Sequence, residues 1–341
     1  MTRTKTLWVR EPYLGQILAG RKTVEVRVAY DNIRPLEPGD RLKLNDRHIA
    51  TIRRVTHYVD FEELLAQEDA RAIAPDLDPG ALLQALRGIY PPHKEALGAV
   101  ALEIAPRRYD AVLFDMGYTL VYFEPPQEEV VQEALRAIGA TRSTEQIMTA
   151  VERVWGDYYR HAETERFPAT EAHDRETQNQ LSAGLLAALE VEASAEALET
   201  YHHVLDGAFA RPGAIRPYPE TEKVLAALRQ QAYRLAIVSN WSWNLRQRVA
   251  QAGLEGYFQF VWASAYAGCN KPHPCIFQRV LEEMDLDPGR TLYVGDSYRH
   301  DVQGARNAGI DPVLVDRQGD EEKRDCPVTK DLWGVLEIVD P

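Results

Sequence analysis

Asp115, Ser239, Lys271, Asp296 and Asp301 are the residues of this 341-residue chain whose types and positions could do chemistry together. Asp115 ends the apolar run Ala111-Val112-Leu113-Phe114 and is followed by Met116-Gly117-Tyr118-Thr119-Leu120. A short apolar run bounded by a turn reads as a buried strand of a parallel sheet. In open α/β sheets, ligands bind outside the carboxyl ends of the strands. A carboxylate at that end can be a metal ligand, a base or a nucleophile. Ser239-Asn240 and Gly295-Asp296 end two further apolar runs, and Lys271 and Asp301 come from loops or helix starts on the same rim. Three carboxylates crowded together repel unless a cation sits between them. Mg²⁺ suits all-oxygen ligands, and it keeps places for waters and a substrate phosphate. A lysine with a hydroxyl and an amide nearby suits phosphate oxygens. Taken singly, each residue has a plainer reading: Asp296 or Ser239-Asn240 as a helix cap, Lys271 as a surface lysine. Gly117 stands two positions after Asp115, where a second acid would make an acid–nucleophile pair.

These side chains need a scaffold, and from Tyr109 the chain alternates strand and helix. Strands are predicted at 111–114, 233–238, 258–262, 291–294 and 312–315, with helices at 219–230, 243–252, 274–284 and 301–308. Repeated αβ units predict an α/β fold with a doubly wound parallel sheet. Residues 127–210 are patterned as amphipathic helix, as in Val130-Val131-x-x-Ala134-Leu135-x-x-Ile138. That stretch is too long for a simple crossover and predicts an inserted helical lobe.

Residues 5–105 predict a separate α+β unit. A helix over 14–19 is stopped by Gly20, a residue that tolerates positive φ. Strands follow at 23–28, 41–44, 49–57 and 98–104, with helices at 61–68 and 79–87. The strict alternation of 23–28 puts Val24, Val26 and Val28 on one face and Thr23, Glu25 and Arg27 on the other, as in a half-buried strand. Lys22 stands at its start. Ala105-Pro106-Arg107-Arg108 reads as a linker, so the expected domains are 1–106 and 109–341.

The net charge of −13 is unevenly spread: residues 1–108 carry 17 Lys/Arg against 15 Asp/Glu, and the remainder 22 against 37. Such asymmetry fits two domains with two jobs. A net charge near +2 in the first unit disfavours broad binding to a phosphate backbone. It fits a small ligand or a single-stranded end better. Cys269, Cys275 and Cys326 form no even framework and no CxxC pair. A reduced, cytoplasmic setting without disulfides is the expectation. No signal-peptide core and no membrane-spanning apolar run is present in the sequence, so no membrane partner is expected.

Four ordered segments now carry a resemblance: Phe114-Asp115-Met116-Gly117-Tyr118-Thr119-Leu120, Ile237-Val238-Ser239-Asn240, Asn270-Lys271-Pro272, and Val294-Gly295-Asp296-Ser297-Tyr298-Arg299-His300-Asp301. Residues 109–320 resemble the haloacid dehalogenase (HAD) superfamily, in particular members with a helical cap inserted after the first strand. The resemblance implies a Rossmann-like core at 109–123 and 213–341 and a cap at 124–212. It implies a phosphomonoester hydrolase in which Asp115 attacks phosphorus to form an aspartyl-phosphate. Ser239, Asn240 and Lys271 would bind the phosphoryl group. Asp115, the backbone carbonyl of Gly117, Asp296 and Asp301 would hold Mg²⁺. The family's phosphatases usually carry Asp where this chain has Gly117, as general acid and base, a role worth about 10²–10⁴-fold. Dehalogenases of the superfamily also lack that Asp, but they need no metal and lose the acidic loop that Asp296 and Asp301 keep here. The implied partner is a small phosphorylated metabolite or nucleotide. Trp155, Tyr158, Tyr159 and His161 are candidates for substrate contact from the cap, with ordinary core packing as the plainer reading.

In the first unit, Gly20-Arg21-Lys22-Thr23-Val24-Glu25-Val26-Arg27 and Pro38-Gly39-Asp40 resemble the ASCH family of PUA-like β-barrel domains. That resemblance implies binding of RNA or a modified nucleoside at a site including Lys22, Thr23, Glu25 and Arg27. It also raises an amidohydrolase on acylated nucleosides, with Glu68 as a loosely aligned third group. Another alternative is a nucleic-acid-binding protein whose HAD unit is weakly active or senses phosphate.

Overall fold

The computed structural model describes residues 3–162, 165–319 and 325–339, with backbone alone for 161 and 162. The chain divides into two compact units, Met1–Asp110 and Ala111–Pro341.

The first unit is a mixed five-stranded sheet flanked by helices. Its strands are β1 (Thr4–Leu7), β2 (Val24–Val28), β3 (Arg41–Leu44), β4 (His48–Tyr58) and β5 (Ala99–Pro106), in the order β1-β3-β4-β5-β2. The β1–β3 pair is parallel and the others are antiparallel. A register shift between Ile52 and Arg54 breaks the long β4–β5 ladder, the kind of bulge that bends a strand. Helix Glu11–Leu18 carries Pro12 in its first turn, where the missing N–H costs nothing. Gly20 follows it at φ +70°.

One apolar cluster gathers Ile17, Leu42, Leu44, Ile52 and Leu102, and a second gathers Val24, Val26, Phe61, Leu64 and Leu82. Tyr13 and Tyr30 pack against both clusters, so both faces of β2 are covered. The expectation of a half-buried β2 is therefore corrected: Glu25 is 3% exposed and Lys22 5%. The linker is corrected as well. Ala105 and Pro106 are paired with Thr51 and Ala50 inside the sheet.

The second unit is α/β, with a doubly wound, Rossmann-like parallel sheet. In chain order its strands are β6 (Ala111–Phe114), β7 (Val121–Phe123), β8 (Ile215–Pro217), β9 (Arg234–Ser239), β10 (Phe260–Ala263), β11 (Thr291–Gly295), β12 (Asp311–Val315) and β13 (Val328–Thr329). Six of them form the parallel sheet in the order β10-β9-β6-β11-β12-β13. β6 lies between β9 and β11, and all four of its residues are buried, as a central strand requires. The carboxyl ends of three neighbouring strands thus point at one place. β7 and β8 form a small antiparallel ribbon at the two points where the chain leaves and re-enters the core.

Between them lie four helices, Gln127–Ala137, Thr144–Ala162, Glu171–Ala188 and Ala195–Ala210. They pack around Leu135, Ile147, Leu185, Leu186 and Tyr201. Thr170 and Ser194 cap two of them by accepting from His173 N and Ala197 N.

Two details depart from the sequence reading. The helix expected at 301–308 is a π-helical turn over Tyr298–Gln303, followed by one α turn, Gly304–Asn307. Such turns are frequent at functional sites. Here the turn lets the Asp301 carboxylate reach back to accept from Ser297 N at 2.8 Å. Cys269 and Cys275 are joined as a disulfide, with Cα atoms 6.5 Å apart. Two thiols six residues apart meet because the intervening loop doubles back, which linear spacing did not reveal. No helix among the described residues is long and apolar enough to cross a membrane.

Asp301 lies directly over Gly295, so close that a Cβ at position 295 would collide with its carboxylate. Gly295→Ala is expected to push Asp301 off its position and lower stability by about 1–3 kcal/mol, the usual cost of overpacking. A thermal melt of the variant, with and without Mg²⁺, checks both effects.

Candidate active site

Lys271 is the hub of the rim. Its Nζ donates to Asp115 Oδ1 at 2.5 Å, to Asp301 Oδ1 at 2.6 Å and to the Tyr293 hydroxyl at 3.0 Å. The lysine is 2% exposed and Asp301 1%. The Tyr293 hydroxyl lies 2.7 Å from the Val238 carbonyl and 3.1 Å from Asp301 Oδ1. Burial alone would lower the Lys271 pKa, but the two carboxylates hold it above the usual range. Asp115 is raised by burial, an effect that Lys271 opposes and the Asp301 charge reinforces; the Ser239 side chain bonds to it as well. Asp296 accepts from Thr119 Oγ1 at 2.9 Å and is pushed up to about 7 by burial and then by Asp301 and Asp115.

The residues fit a divalent metal. One oxygen from each of Asp115, Asp296 and Asp301 lies within 4.8 Å of the others. A single ammonium serves the two buried carboxylates, Asp115 and Asp301, and the half-buried Asp296 stands beside them, so the cluster is short of positive charge. An all-oxygen set with that deficit suits Mg²⁺.

The structure brings Asp115, Ser239, Lys271, Asp296 and Asp301 around one cavity of about 560 Å³, with Gly117 and Asn240 on its wall. Asn240 does something other than expected with its side chain. Its Oδ1 accepts from Lys271 N at 2.7 Å and its Nδ2 donates to Lys271 O at 3.1 Å. This reciprocal clamp fixes the lysine's backbone. Thr119 and Tyr293 join the site without having been singled out; Thr119 belongs to the Asp115 turn, whereas Tyr293 read as one more buried strand aromatic. Trp155, Tyr158 and Tyr159 line the cavity from the cap. Tyr158 accepts from Asn270 Nδ2 at 3.1 Å, and Tyr159 lies against His300 with ring centres 4.8 Å apart. The side chain of His161 lies outside the described residues. At Gly117, a Cβ would stand 3.4 Å from the Trp241 ring, which stacks on Phe123. Aromatic carbon therefore borders the position where a second carboxylate would project.

In the first unit, a cavity of about 450 Å³ is lined by Lys22, Glu25 and Arg27, together with Trp8, Tyr13, Tyr30 and Tyr90. Lys22 Nζ donates to Val24 O and Ile73 O, both at 2.7 Å, and pairs with Glu25 at 3.0 Å. Glu25 pairs in turn with Arg27, whose guanidinium also donates to Trp8 O at 3.0 Å. Thr23 does not line this cavity. Glu68 is held by Arg54 and by the Tyr58 hydroxyl, whereas Lys22 has Glu25 as its carboxylate partner.

The Asp296 shift sets a pH dependence for the metal-free protein. Its carboxyl, pushed up to about 7 in the folded protein, lies above its ordinary value of 3.8. Its favourable contribution is complete below the unfolded pKa and is lost as pH rises towards 7. The melting temperature of metal-free protein should fall over that range. Mg²⁺ should raise it at pH 7.5, and Asp296→Asn should remove most of the response; thermal melts across pH check both.

Residues 109–309 match the family model for haloacid dehalogenase-like hydrolases, and residues 7–108 match the ASCH domain. The chain is similar to a glyceraldehyde 3-phosphate phosphatase from Methanothermobacter thermautotrophicus, 34% identical over 128 residues, which cover 37% of this chain and 54% of that protein. A protein of the same name from Methanopyrus kandleri is 28% identical, covering 61% and 84%. A phosphoserine phosphatase from Thermus thermophilus is 39% identical, covering 29% and 41%. The matches span about half or less of the length of most of these curated relatives. Among solved structures, L-2-haloacid dehalogenase from Xanthobacter autotrophicus shares the fold, at 23% identity and a TM-score of 0.53, covering 68% of this chain and 98% of that one. So does a HAD hydrolase from Bacillus subtilis solved with magnesium, at 20% identity and a TM-score of 0.56, covering 69% and 100%. With more than half of its length matched by that one family model, the chain belongs to the haloacid dehalogenase-like hydrolase family and carries an ASCH domain ahead of it.

Proposed function

We propose that the C-terminal unit is a Mg²⁺-dependent phosphomonoester hydrolase and that the N-terminal unit binds RNA or a modified nucleoside. The observation that carries the first part is the buried Asp115–Lys271–Asp301 bridge with Asp296 beside it. A dehalogenase needs no metal, so a carboxylate cluster short of positive charge favours the phosphatase reading. The phosphatase names of the similar proteins support the same reading.

Each residue has a task in this reading. Asp115 attacks phosphorus and becomes an aspartyl-phosphate, and water then cleaves that bond. Ser239, already bonded to Asp115, donates to a phosphoryl oxygen. Lys271 balances the charge that develops on the phosphoryl group; Asn240 holds its backbone, and the Tyr293 hydroxyl accepts from its ammonium. Asp115, Asp296, Asp301 and the Gly117 carbonyl are the residues that would hold Mg²⁺, which supplies charge neutralisation when bound. With no carboxylate at 117, protonation of the leaving oxygen falls to water or another group. Esters with good leaving groups are favoured for that reason. The same gap supports the second reading, a nucleic-acid-binding protein whose HAD unit turns over slowly or senses phosphate.

For the N-terminal unit, the aromatic cavity with Arg27 at its wall supports a planar ligand. Lys22 is consumed by two carbonyls and Glu25. It positions Glu25, and Glu25 positions Arg27.

Phosphate release from a panel of phosphomonoesters with Mg²⁺ tests the first part. Asp115→Asn should lower kcat by roughly 10³-fold or more, as loss of a nucleophile does. Aryl phosphates should outpace alkyl phosphates by about 10²-fold, within the range expected for an absent general acid. No release from any ester would overturn the phosphatase reading. Titration of the full chain with a modified cytidine and with single-stranded RNA tests the second part. Arg27→Ala should weaken binding about tenfold. Lys22→Ala should instead cost about 1–3 kcal/mol of stability by leaving the Val24 and Ile73 carbonyls without their donor and Glu25 with Arg27 alone, read by denaturant unfolding.

A further inference from the structure

A second cavity, of about 1050 Å³, lies between the cap helices and the core. It abuts the catalytic one. Tyr118, Phe123, Trp155, Asp174, Gln178 and Trp241 line both. Sites of about 300–1,000 Å³ bury a drug-sized ligand. The two adjoining cavities together offer far more room than a phosphate with a three-carbon leaving group fills.

The wall chemistry narrows what belongs there. Trp155, Trp241, Trp243, Phe123, Tyr201 and Phe209 offer aromatic faces. Five carboxylates, from Glu128, Glu152, Glu171, Asp174 and Asp206, face two guanidiniums. Both guanidiniums have partners. Arg248 donates to Phe209 O and to Gln251 Oε1, each at 2.9 Å, and Arg175 pairs with Glu171 at 3.4 Å. The remaining basic group on this wall, His202, bonds to Ser182 Oγ at 2.8 Å, and burial lowers its pKa, which disfavours its cationic form. An anionic leaving group would meet a wall on which carboxylates outnumber guanidiniums, and like-charge juxtaposition disfavours it.

We propose that this chamber is the leaving-group pocket and that the substrate is a phosphomonoester of a large aromatic alcohol with no second negative charge. The proposal rests on the phosphatase reading of the Asp115 site. The phosphoryl group sits at Asp115, Ser239 and Lys271. The alcohol passes between Phe123 and Trp155, and its ring stacks among the tryptophans. This substrate class differs from the triose phosphate and phosphoserine in the names of the similar proteins.

The test compares three alkyl esters, so that leaving-group reactivity is similar: 2-(1-naphthyl)ethyl phosphate, glyceraldehyde 3-phosphate and phosphoserine. Binding to the full-length Asp115→Asn variant with Mg²⁺ is followed by tryptophan fluorescence, and phosphate release is measured separately on wild type. The naphthyl ester should bind at least about tenfold more tightly than the other two, a discrimination that apolar pockets commonly reach. Trp243→Ala, on the wall of the second cavity and not of the catalytic one, should close most of that gap while leaving the affinity for glyceraldehyde 3-phosphate within about twofold. Gln178→Lys, which adds a cation to the wall, should shift preference towards phosphoserine. Equal or weaker binding of the naphthyl ester would overturn the proposal. Tight binding without phosphate release from any ester would sink the phosphatase reading and leave the pocket assignment standing. Release from all three esters at equal efficiency would sink the pocket assignment alone.

Discussion

Two buried carboxylates and a half-buried third around one ammonium form the constraint on which the second unit depends. Asp115, Asp296 and Asp301 come from two neighbouring strand ends and a π-helical turn, and each would be costly to bury alone. Lys271 offsets two of them, and the remaining deficit raises Asp296. Much of the nearby architecture serves this balance. β6 must be central so that Asp115 can meet Lys271 and Asp301. Residue 295 must lack a side chain so that Asp301 can lie over it. Asn240 must clamp the lysine's backbone from the end of β9. Remove the ammonium, and like charges a few ångströms apart would drive the rim open.

The elements and the chemistry were unequally legible in the sequence. Asp115, Ser239 and Asp296 stood out because each ends an apolar strand, and such ends share a rim in a doubly wound sheet. Lys271 and Asp301 became visible only through their order along the chain. Tyr293 was invisible because a tyrosine in a buried strand looks like any other core aromatic until its hydroxyl finds partners. The π-helical turn was equally silent, since its residues carry the same pattern as an α-helix. In the first unit, alternation along β2 gave the faces of Thr23, Glu25 and Arg27 but not their burial. Alternation reports which side a residue takes; it does not report that Tyr13 and Tyr30 cover both sides.

The two units treat buried charge differently. In the second, acid exceeds base and a site for a cation results. In the first, Lys22, Glu25 and Arg27 form a chain in which each charge has an opposite neighbour and the lysine two carbonyls besides. Two cations share one carboxylate, so the chain stays net positive, and its order fixes the outermost guanidinium beside an aromatic cavity. The disulfide between Cys269 and Cys275 brackets Lys271 and restrains the loop that delivers it.

The contact between Trp241 and the open side of Gly117 bears on what an acid placed there would do. A Cβ at 117 would stand 3.4 Å from the Trp241 ring and 3.9 Å from Phe123, close to ordinary van der Waals contact, so the position has room for a side chain. A carboxyl carried on it would lie beside aromatic carbon, and such surroundings favour its neutral form. The wall that borders glycine would thus hold an introduced acid in the state that can give a proton to a leaving oxygen.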